Sequence, residues 1–473
     1  MKNRRRPSHV IQLFALALLA ICLAGCTVGP KYARPDVPQA PAYRGPDNQN
    51  VTSSESLGDE KWSEVFREPE LQDLIRTALK NNYDVQIAAR RILEQQAQVR
   101  ITRSQEFPQL SGGGTGIGAE IPNGIAGTNI ASPLTSGSLN LSATWTPDFW
   151  GLYRKQTEAA RAQLLAQTWA RRAVRLTLVQ QVASTYFQLR ALDAELQVAR
   201  QTVKARQDSL QLTQTLANGG ASPLSDVRQA EELLYTATSQ VPQLEQQVQQ
   251  AENEMRLLLG QTPGTVEHTD VNALAPPPEN LPPGIPSQLL ERRPDIQQAE
   301  AQLKAANAQI GVARAQFFPS LSISASAGFG GDTFGSLVDT GSTTAYGIGT
   351  LTQPIFMGGK LRGQLEYSKQ QKEEMVLTYR KTIIGAFHDV SNALIAAQKQ
   401  RQSREQQEKL VAAAQDATRL ARLRYQGGAA SYLEVLTNDT NLFSAQLNLI
   451  AAQQNEAVSL VQLYAALGGG WQE

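Results

Sequence analysis

The sequence predicts an α+β membrane protein that is built from an internal duplication and combines very long helices with short alternating strands. The duplication is visible because distinctive segments recur at an almost constant spacing. Phe107-Pro108 returns as Phe318-Pro319, and Asn218-Gly219-Gly220-Ala221 returns as Gln426-Gly427-Gly428-Ala429. A repeat of this length predicts one supersecondary unit per copy. Each copy is predicted to hold a helix, a strand pair, a very long helix, a Gly-Gly turn and another helix.

Residues 1–25 are predicted to be a lipoprotein signal peptide. A basic start is followed by the apolar run 10–23, which is too short to span a bilayer comfortably. The run ends in Leu23-Ala24-Gly25-Cys26, and small residues before a cysteine are typical of the bacterial lipoprotein cleavage box. Lipidation, with palmitate among the acyl chains, is therefore predicted at Cys26. An ordinary signal peptide or an uncleaved anchor helix is the alternative. Thr27 follows where many inner-membrane lipoproteins carry aspartate, which favours the outer membrane.

Composition and charge exclude several classes of function. The full chain has a formal net charge of +1 and no basic stripe, so nucleic acid is not an expected partner. Signal cleavage would remove Cys22, which leaves no disulfide and no cysteine-based metal site. His268 and His388 would remain, without a nucleophile elbow, an HExxH pair or a phosphate-binding loop. We therefore expect no enzyme activity, no cofactor and no metal.

Two proline-rich stretches divide the chain. Residues 26–60 are polar and are predicted to form an extended N-terminal tether, and residues 261–287 are predicted to connect the two copies. The first structural repeat is then 61–260, and the second is 288–473. The mature chain is therefore expected to consist of a tether followed by two joined repeats.

Four segments are predicted to be long helices. The longest two, 152–217 and 361–426, contain no proline and almost no glycine, and at about 1.5 Å per residue each would reach roughly 100 Å. A shorter helix follows each of them, over 224–258 and 432–466. Their apolar residues step by three and four, which is typical of coiled-coil packing. A coiled-coil scaffold without a passage explains this periodicity equally well.

Two strand hairpins are predicted, over about 110–147 and about 320–354. Leu139, Leu141 and Trp145 alternate with small polar residues, and such segments of about ten residues suit tilted membrane strands. A soluble hairpin gives the same pattern, but the lipoprotein context favours a barrel. Four strands cannot close a barrel, and hydrocarbon does not tolerate open edges, so the chain must oligomerise. Dimers, trimers and tetramers all give permissible strand counts.

The chain resembles the outer-membrane factor family of TolC-type exit ducts, in its acylated NodT/OprM-like branch. The most specific segment is LPPGIPSQLLERRPDI at 281–296, and further matching segments are 26–32, 62–66, 353–356 and 467–471. The resemblance implies a homotrimer in which a 12-stranded transmembrane β-barrel is continuous with a long periplasmic α-helical coiled-coil barrel. It also implies a lipid-anchored protein of the cell outer membrane that extends into the periplasm, with outer-membrane lipid as a partner.

The same resemblance implies a passive exit duct for drugs or other small molecules in a tripartite efflux pump. An inner-membrane pump of the resistance-nodulation-division (RND) type would supply the energy, and a periplasmic adaptor (membrane fusion) protein would couple the two. Alternatives are an exit duct for type I protein secretion, a metal-efflux duct and a coiled-coil structural lipoprotein. The residues do not identify the cargo, since a lumen lined by Ser, Thr and Gln is permissive.

The resemblance places the functional sites where the long helices reverse direction. We name these segments the first tip turn (218–226) and the second tip turn (426–434). Residues predicted to dock the adaptor are Gly219, Gly220, Ser225, Asp226, Gly427, Gly428 and Ser431. The serines and the acidic residues near them also suit the start of a helix, as a cap and a favourable charge. Helix capping alone would explain these residues.

A closed tip is expected to be held by residues around the second tip turn. Candidate gate residues are Arg422, Arg424, Tyr425, Leu433 and Thr437. The arginines and the tyrosine are predicted to latch the tip by charge and hydrogen-bond pairs, with Asp226 opposite them, although such pairs are individually weak. Leu433 is the candidate hydrophobic constriction. Thr437 stands where relatives often carry an acidic ring, which is a departure from the family pattern.

Overall fold

We describe the protein from a computed structural model, in residues 27–37, 41–51, 54–119, 134–266, 281–331 and 343–471. The predicted signal peptide, Cys26 and His268 lie outside these described residues. In chain order the strands are β1 (Tyr43–Arg44), β2 (Asn50–Val51), β3 (Gln109–Ala119), β4 (Leu134–Trp145), β5 (Ser320–Gly331) and β6 (Thr343–Thr352). The helices are α1 (Trp62–Val65), α2 (Pro69–Asn81), α3 (Tyr83–Ser104), α4 (Leu152–Asn218), α5 (Leu224–Leu258), α6 (Pro286–Arg292), α7 (Pro294–Ala315), α8 (Lys360–Gln426) and α9 (Tyr432–Ala466).

The described residues fall into two compact units. The first lies within Met1–Asp36, Arg91–Gln167 and Ala299–Tyr379, and the second lies within Val37–Arg90, Thr168–Gln298 and Arg380–Glu473. Each unit therefore takes segments from both predicted repeats, so a repeat does not fold as a domain of its own. In the described part of the chain, no helix combines the length and the hydropathy that crossing a membrane requires.

The first unit contains a four-stranded antiparallel sheet in the order β3-β4-β5-β6. The two hairpins, one from each repeat, meet where β4 pairs with β5, with Leu141 opposite Ala327 and Trp145 opposite Ile323. β3 and β6 are the edge strands, and neither has a second paired strand among the described residues. Unpaired backbone groups along an edge are a template for pairing with another chain.

The second unit is held together by an apolar core between long helices. Leu189, Leu192 and Ala199 of α4 are buried against Leu244 of α5 and Phe443 of α9. The α4 positions follow the spacing of three and four that the sequence predicts for a coiled-coil seam. Burial of this seam supplies the apolar surface that stabilises helices of this length.

On α9 the buried face differs from the predicted seam near the start of the helix. The spacing of three and four in the sequence predicts a seam that begins with Leu436 and Thr440. The buried residues here are Tyr432, Val435 and Asp439. Val435 and Asp439 lie three and seven positions after Tyr432 and therefore share its helix face. The prediction missed the burial of Tyr432 and placed the exposed Thr440 on the seam, but Leu436 does pack against the core.

The predicted tether 26–60 is in part a docked segment. Tyr43 of β1 is only 2% exposed, and its ring centre lies 6.3 Å from that of Phe387, edge to face. The backbone N–H of Leu57 donates to the carbonyl of Pro282 at 2.8 Å. The prolines predict an extended, solvated segment, but burial of Tyr43 and Leu57 offsets the entropy lost on ordering it.

Candidate functional site

The two tip turns have the same local structure, as their matching sequences predict. Gly220 and Gly428 have φ values of 76° and 70°, which glycine adopts without steric cost. In each turn, the residue after this glycine donates its backbone N–H at 2.8 Å to the carbonyl five residues earlier. This Schellman pattern satisfies carbonyl groups that the ends of α4 and α8 would otherwise leave free.

The first tip turn leads into α5, and the side-chain cap predicted at Ser225 is wrong. The helix begins at Leu224 with Pro223 in the N-cap position, so Ser225 lies inside the first turn. Ser222 instead donates its hydroxyl to the carboxylate of Asp226 at 2.9 Å. Asp226 does stand in the first turn, where a negative charge favours the helix N-terminus.

The second tip turn leads into α9, whose N-cap position is held by Ser431. The serine side chain makes no capping hydrogen bond within the described residues. Arg424 makes two contacts across the turn. Its Nη1 lies 2.8 Å from Oε1 of Glu434, and its Nη2 donates to the carbonyl of Ala429 at 3.4 Å. Both charged side chains are partly exposed, so this ion pair is weak.

Arg422 pairs with Asp439 of α9 and not with Asp226. Its Nη2 lies 2.9 Å from Oδ1 of Asp439, which is 6% exposed. Burial raises the pKa of Asp439, and the positive charges of Arg422 and Arg206 act in the opposite direction. The second carboxylate oxygen of Asp439 is buried without a hydrogen-bond partner among the described residues. Within this chain Arg422 therefore links α8 to α9, and the latch opposite Asp226 stays a prediction.

Arg206 of α4 completes this charged cluster, and sequence reasoning missed it. Its side chain is 3% exposed and donates to the carbonyl of Leu233 at 2.7 Å. Its guanidinium also lies 5.4 Å from the ring centre of Phe443, a cation–π arrangement. Burial lowers the pKa of Arg206, whereas the charge of Asp439 acts to raise it. The cluster of Arg206, Arg422 and Asp439 thus draws on three long helices.

Tyr425 and Tyr432 pack together across the second tip turn, with their ring centres 5.3 Å apart. Tyr432 is 2% exposed, lies in an apolar cluster with Ala230 and Val435, and its hydroxyl is 3.3 Å from Oγ of Ser209. The hydroxyl of Tyr425 is buried and has no hydrogen-bond partner in the described ranges. Tyr425 therefore contributes by packing and not by the hydrogen bond predicted for a latch.

Leu433 and Thr437 lie on the exposed face of α9. Leu433 is 59% exposed, and Thr437 donates its hydroxyl to the carbonyl of Leu433 at 2.9 Å. Within one chain these side chains do not contribute to the apolar core of the tip. The constriction at Leu433 stays a prediction, since it depends on contacts of this helix face with residues outside this chain.

The remaining candidates concern metal and lipid. Among the residues that the structure describes, no group of three or more His, Cys, Asp or Glu side chains is placed to hold a metal ion. The Nε2 atom of the exposed His388 lies 3.0 Å from Nδ2 of Asn392.

Cys26 lies outside the described residues, but the next residue, Thr27, lies close to Gly151. The described part of the chain therefore starts beside Gly151, one residue after Cys26 in the sequence.

Comparisons with known proteins match both repeats. The family profile for outer membrane efflux proteins matches residues 74–261 and 285–469. The probable efflux pump outer membrane protein TtgC of Pseudomonas putida KT2440 is 38% identical over 473 residues, which cover 98% of this chain and 96% of that protein. The cation efflux system protein CusC of Escherichia coli is 33% identical over 455 residues, which cover 96% of this chain and 98% of that protein.

A solved structure also matches along nearly the full length. The open state of the Neisseria gonorrhoeae outer membrane channel MtrE superposes with a TM-score of 0.83 at 30% identity, covering 94% of this chain and 99% of that chain. The predicted outer-membrane location and efflux function are confirmed by these matches. The chain belongs to the outer membrane efflux protein family.

Proposed function

We propose that three copies of this chain form the passive exit duct of a tripartite efflux pump. The observation that carries the proposal is the four-stranded sheet with two open edges, because hydrocarbon does not tolerate unpaired backbone groups. Three copies joined edge to edge, with β3 of one copy beside β6 of the next, give a 12-stranded barrel of a permitted size. Outer-membrane lipid surrounds this barrel, and acyl chains on Cys26 add an anchor.

The long helices of the three copies form the periplasmic coiled-coil barrel, which carries the cargo. Support comes from a cavity of about 760 Å³ in the first unit, whose walls are neutral side chains such as Gln98, Gln156, Gln302 and Gln371. A neutral, wettable wall holds no fixed charge that would bind a passing molecule. Drugs and other small organic molecules are the proposed cargo, as the efflux pump name of TtgC suggests.

Opening takes place at the two tip turns, where a periplasmic adaptor docks on the residues around Gly219, Gly220, Gly427 and Gly428. The duct itself consumes no energy, since an inner-membrane pump of the RND type supplies it. The helices move between a closed and a splayed arrangement, and the adaptor shifts the populations of the two. Arg422, Arg424, Tyr425, Leu433 and Thr437 remain the proposed gate residues.

Native mass spectrometry of the detergent-extracted protein tests the assembly. We expect a trimer whose subunits begin at an acylated Cys26, and a stable monomer would overturn the proposed barrel. Deletion of the gene in its host should raise the intracellular accumulation of a fluorescent pump substrate, and re-expression should restore the original level. Unchanged accumulation after deletion would argue against the duct function, whatever the oligomeric state.

A further inference from the structure

Residues 27–36, which we name the N-terminal strap, lie along one face of α7. Arg34 Nη2 is 2.5 Å from Oε2 of Glu300, and the hydroxyl of Tyr32 donates to the same carboxylate at 3.2 Å. Glu300 is 5% exposed. Burial acts to raise its pKa, but hydrogen bonds from Arg34 and Lys304 hold that pKa below its ordinary value. A buried carboxylate with these partners fixes one end of the strap.

Further contacts continue along the same face of α7. Asn307 donates to the carbonyl of Pro30 at 3.2 Å. Gly29 and Gly311 cross so closely that a Cβ on either residue would press on the backbone of the other segment. The contact positions on α7 are separated by seven and four residues, which places them on one helix face. The strap is therefore held at several points and not only at its end.

At its other end the strap meets the segment between β4 and α4. The backbone N–H of Val28 donates to the carbonyl of Trp150 at 3.2 Å. The Trp150 ring stacks on Phe318 with 4.7 Å between ring centres, and its indole N–H donates to the carbonyl of Pro319 at 2.7 Å. Thr27, the first described residue, thus lies beside a fixed aromatic pair next to the start of β5.

Beside this pair lies a cavity of about 620 Å³, which we name the base cavity. Apolar residues that line it are Phe149, Trp150, Leu152, Phe318, Ile355, Phe356 and Met357. Ile355 and Phe356 are 95% and 87% exposed. The carboxylate among the lining residues, Asp148, already accepts a hydrogen bond from the backbone N–H of Arg154 at 2.8 Å. The apolar side chains of Ile355 and Phe356 therefore lie open beside the base cavity.

The strap runs along α7 toward the segment that follows this helix. The five steps from Arg34 to Gly29 cover about 16 Å of extended chain, and the eleven steps from Glu300 to Gly311 cover about 16 Å of helix axis. The strap and α7 therefore cover equal distances between these two contacts. The two further steps from Gly29 to Thr27 cover about 7 Å and bring the strap to Trp150 and Gly151.

We propose that an acyl chain on Cys26 packs in the base cavity of its own subunit. This inference rests on the lipidation that belongs to the proposed function, and it adds where the lipid lies. An acyl chain is uncharged, like most of the cavity wall, and it begins one residue away from Thr27. The lipid is then a packing element between the strap, Phe318 and the residues after β6, and not only a membrane tether.

Photo-crosslinking of the complete, assembled protein tests this proposal. Cells are fed a fatty acid that carries a diazirine and an alkyne, and the purified protein is irradiated, digested and analysed by mass spectrometry. We expect the acylated N-terminal peptide to be joined to peptides that contain 146–153, 315–320 or 352–357. Crosslinks confined to the strand residues around Leu139 and Leu141, or to a second copy, would overturn the proposal. An N-terminal peptide without an acyl group would overturn it too.

Variants sharpen the result. Phe318→Ala should lower the yield of the expected crosslinks by about threefold or more, because apolar contacts to the chain are lost. Leu351→Ala, at an exposed strand position that does not line the cavity, is the matched control and should leave the yield unchanged. Equal yields in both variants would contradict the proposal. Dye efflux measured in the same cells separates the proposed lipid site from the proposed duct function. Normal efflux together with crosslinks confined to the strands would reject the lipid site but leave the duct function standing.

Discussion

The guanidinium of Arg422 lies 2.9 Å from the carboxylate of Asp439. The aspartate side chain is 5% exposed, whereas the arginine side chain is 43% exposed. Asp439 also lies within the electrostatic reach of the buried Arg206. One carboxylate thus balances two cations that come from α4 and α8. Because the pair joins two helices beside the second tip turn, its loss should lower the free energy needed to open the tip.

Asp439→Ala is expected to destabilise the tip by about 2–4 kcal/mol, because Arg206 is left buried without an opposite charge. Hydrogen exchange of peptides that cover 198–210 and 436–446 in the assembled protein measures the change in opening free energy. Arg424→Ala is the matched comparison, since its partly exposed pair with Glu434 should contribute less than about 1 kcal/mol. Equal protection in the two variants would contradict a dominant role for Asp439.

The pH dependence of the tip follows from the raised pKa of Asp439. The folded tip holds a proton at a pH where the unfolded chain has already released it, so the free energy of unfolding falls as pH rises through that interval. Asp439 should therefore lower the stability of the tip as pH rises from the ordinary aspartate pKa to its own raised pKa. Hydrogen exchange corrected for its intrinsic rate measures this slope, and Asp439→Asn should reduce it. An unchanged slope in that variant would assign the effect to other groups.

The two tyrosines at the second tip turn should respond differently to loss of their hydroxyls. Tyr432→Phe removes a contact with Ser209 and is expected to cost about 0.5–1 kcal/mol. Tyr425→Phe removes a hydroxyl without a partner in the described residues, so it should be neutral or slightly stabilising. Limited proteolysis within 426–431 reports the difference. Greater cleavage in Tyr425→Phe than in Tyr432→Phe would be inconsistent with the observed packing.

Gly220→Ala and Gly428→Ala should each destabilise their own turn by about 1–2 kcal/mol, because both positions have positive φ. A Cβ at either position meets no atom within 4 Å, so the cost comes from the backbone alone and should be similar in the two turns. Gly219→Ala is the control, since its Cβ would meet only ordinary contacts at 3.6 Å. Local hydrogen exchange measures all three, and a larger loss in Gly219→Ala would contradict this reading.

The long helices and the matching turns could be predicted from sequence because their signals are local and repeated. Gly220 and Gly428 each follow a long helical segment, where glycine is typical of a left-handed residue at the helix end. The α4 seam through Leu189 and Leu192 follows a regular spacing. The pairing of β4 with β5 is different, since it joins residues from the two repeats. Its register depends on the whole sheet and has no local signature.

The charged cluster could not be predicted with the same reasoning, because it depends on which face of α9 turns inward. Asp439 lies on the same buried face of α9 as Tyr432 and Val435. One signal was available for Arg206, which lies one heptad after Ala199 on the buried seam of α4. A charged residue in that position indicates a buried partner, but the sequence does not say which helix supplies it. The prediction did not consider Arg206, and it placed Asp226 opposite Arg422 because of the repeat pattern.

In the proposed trimer, pairing of the β3 and β6 edges across copies makes the sheet a property of several chains. By mass action, its stability depends on how many copies are present together, as for an obligate oligomer. Newly exported chains face a kinetic competition between correct association and mispairing of the same edges into aggregates. In the proposed ring of three copies, a mutant copy with one blocked edge would leave the barrel open even beside two normal subunits.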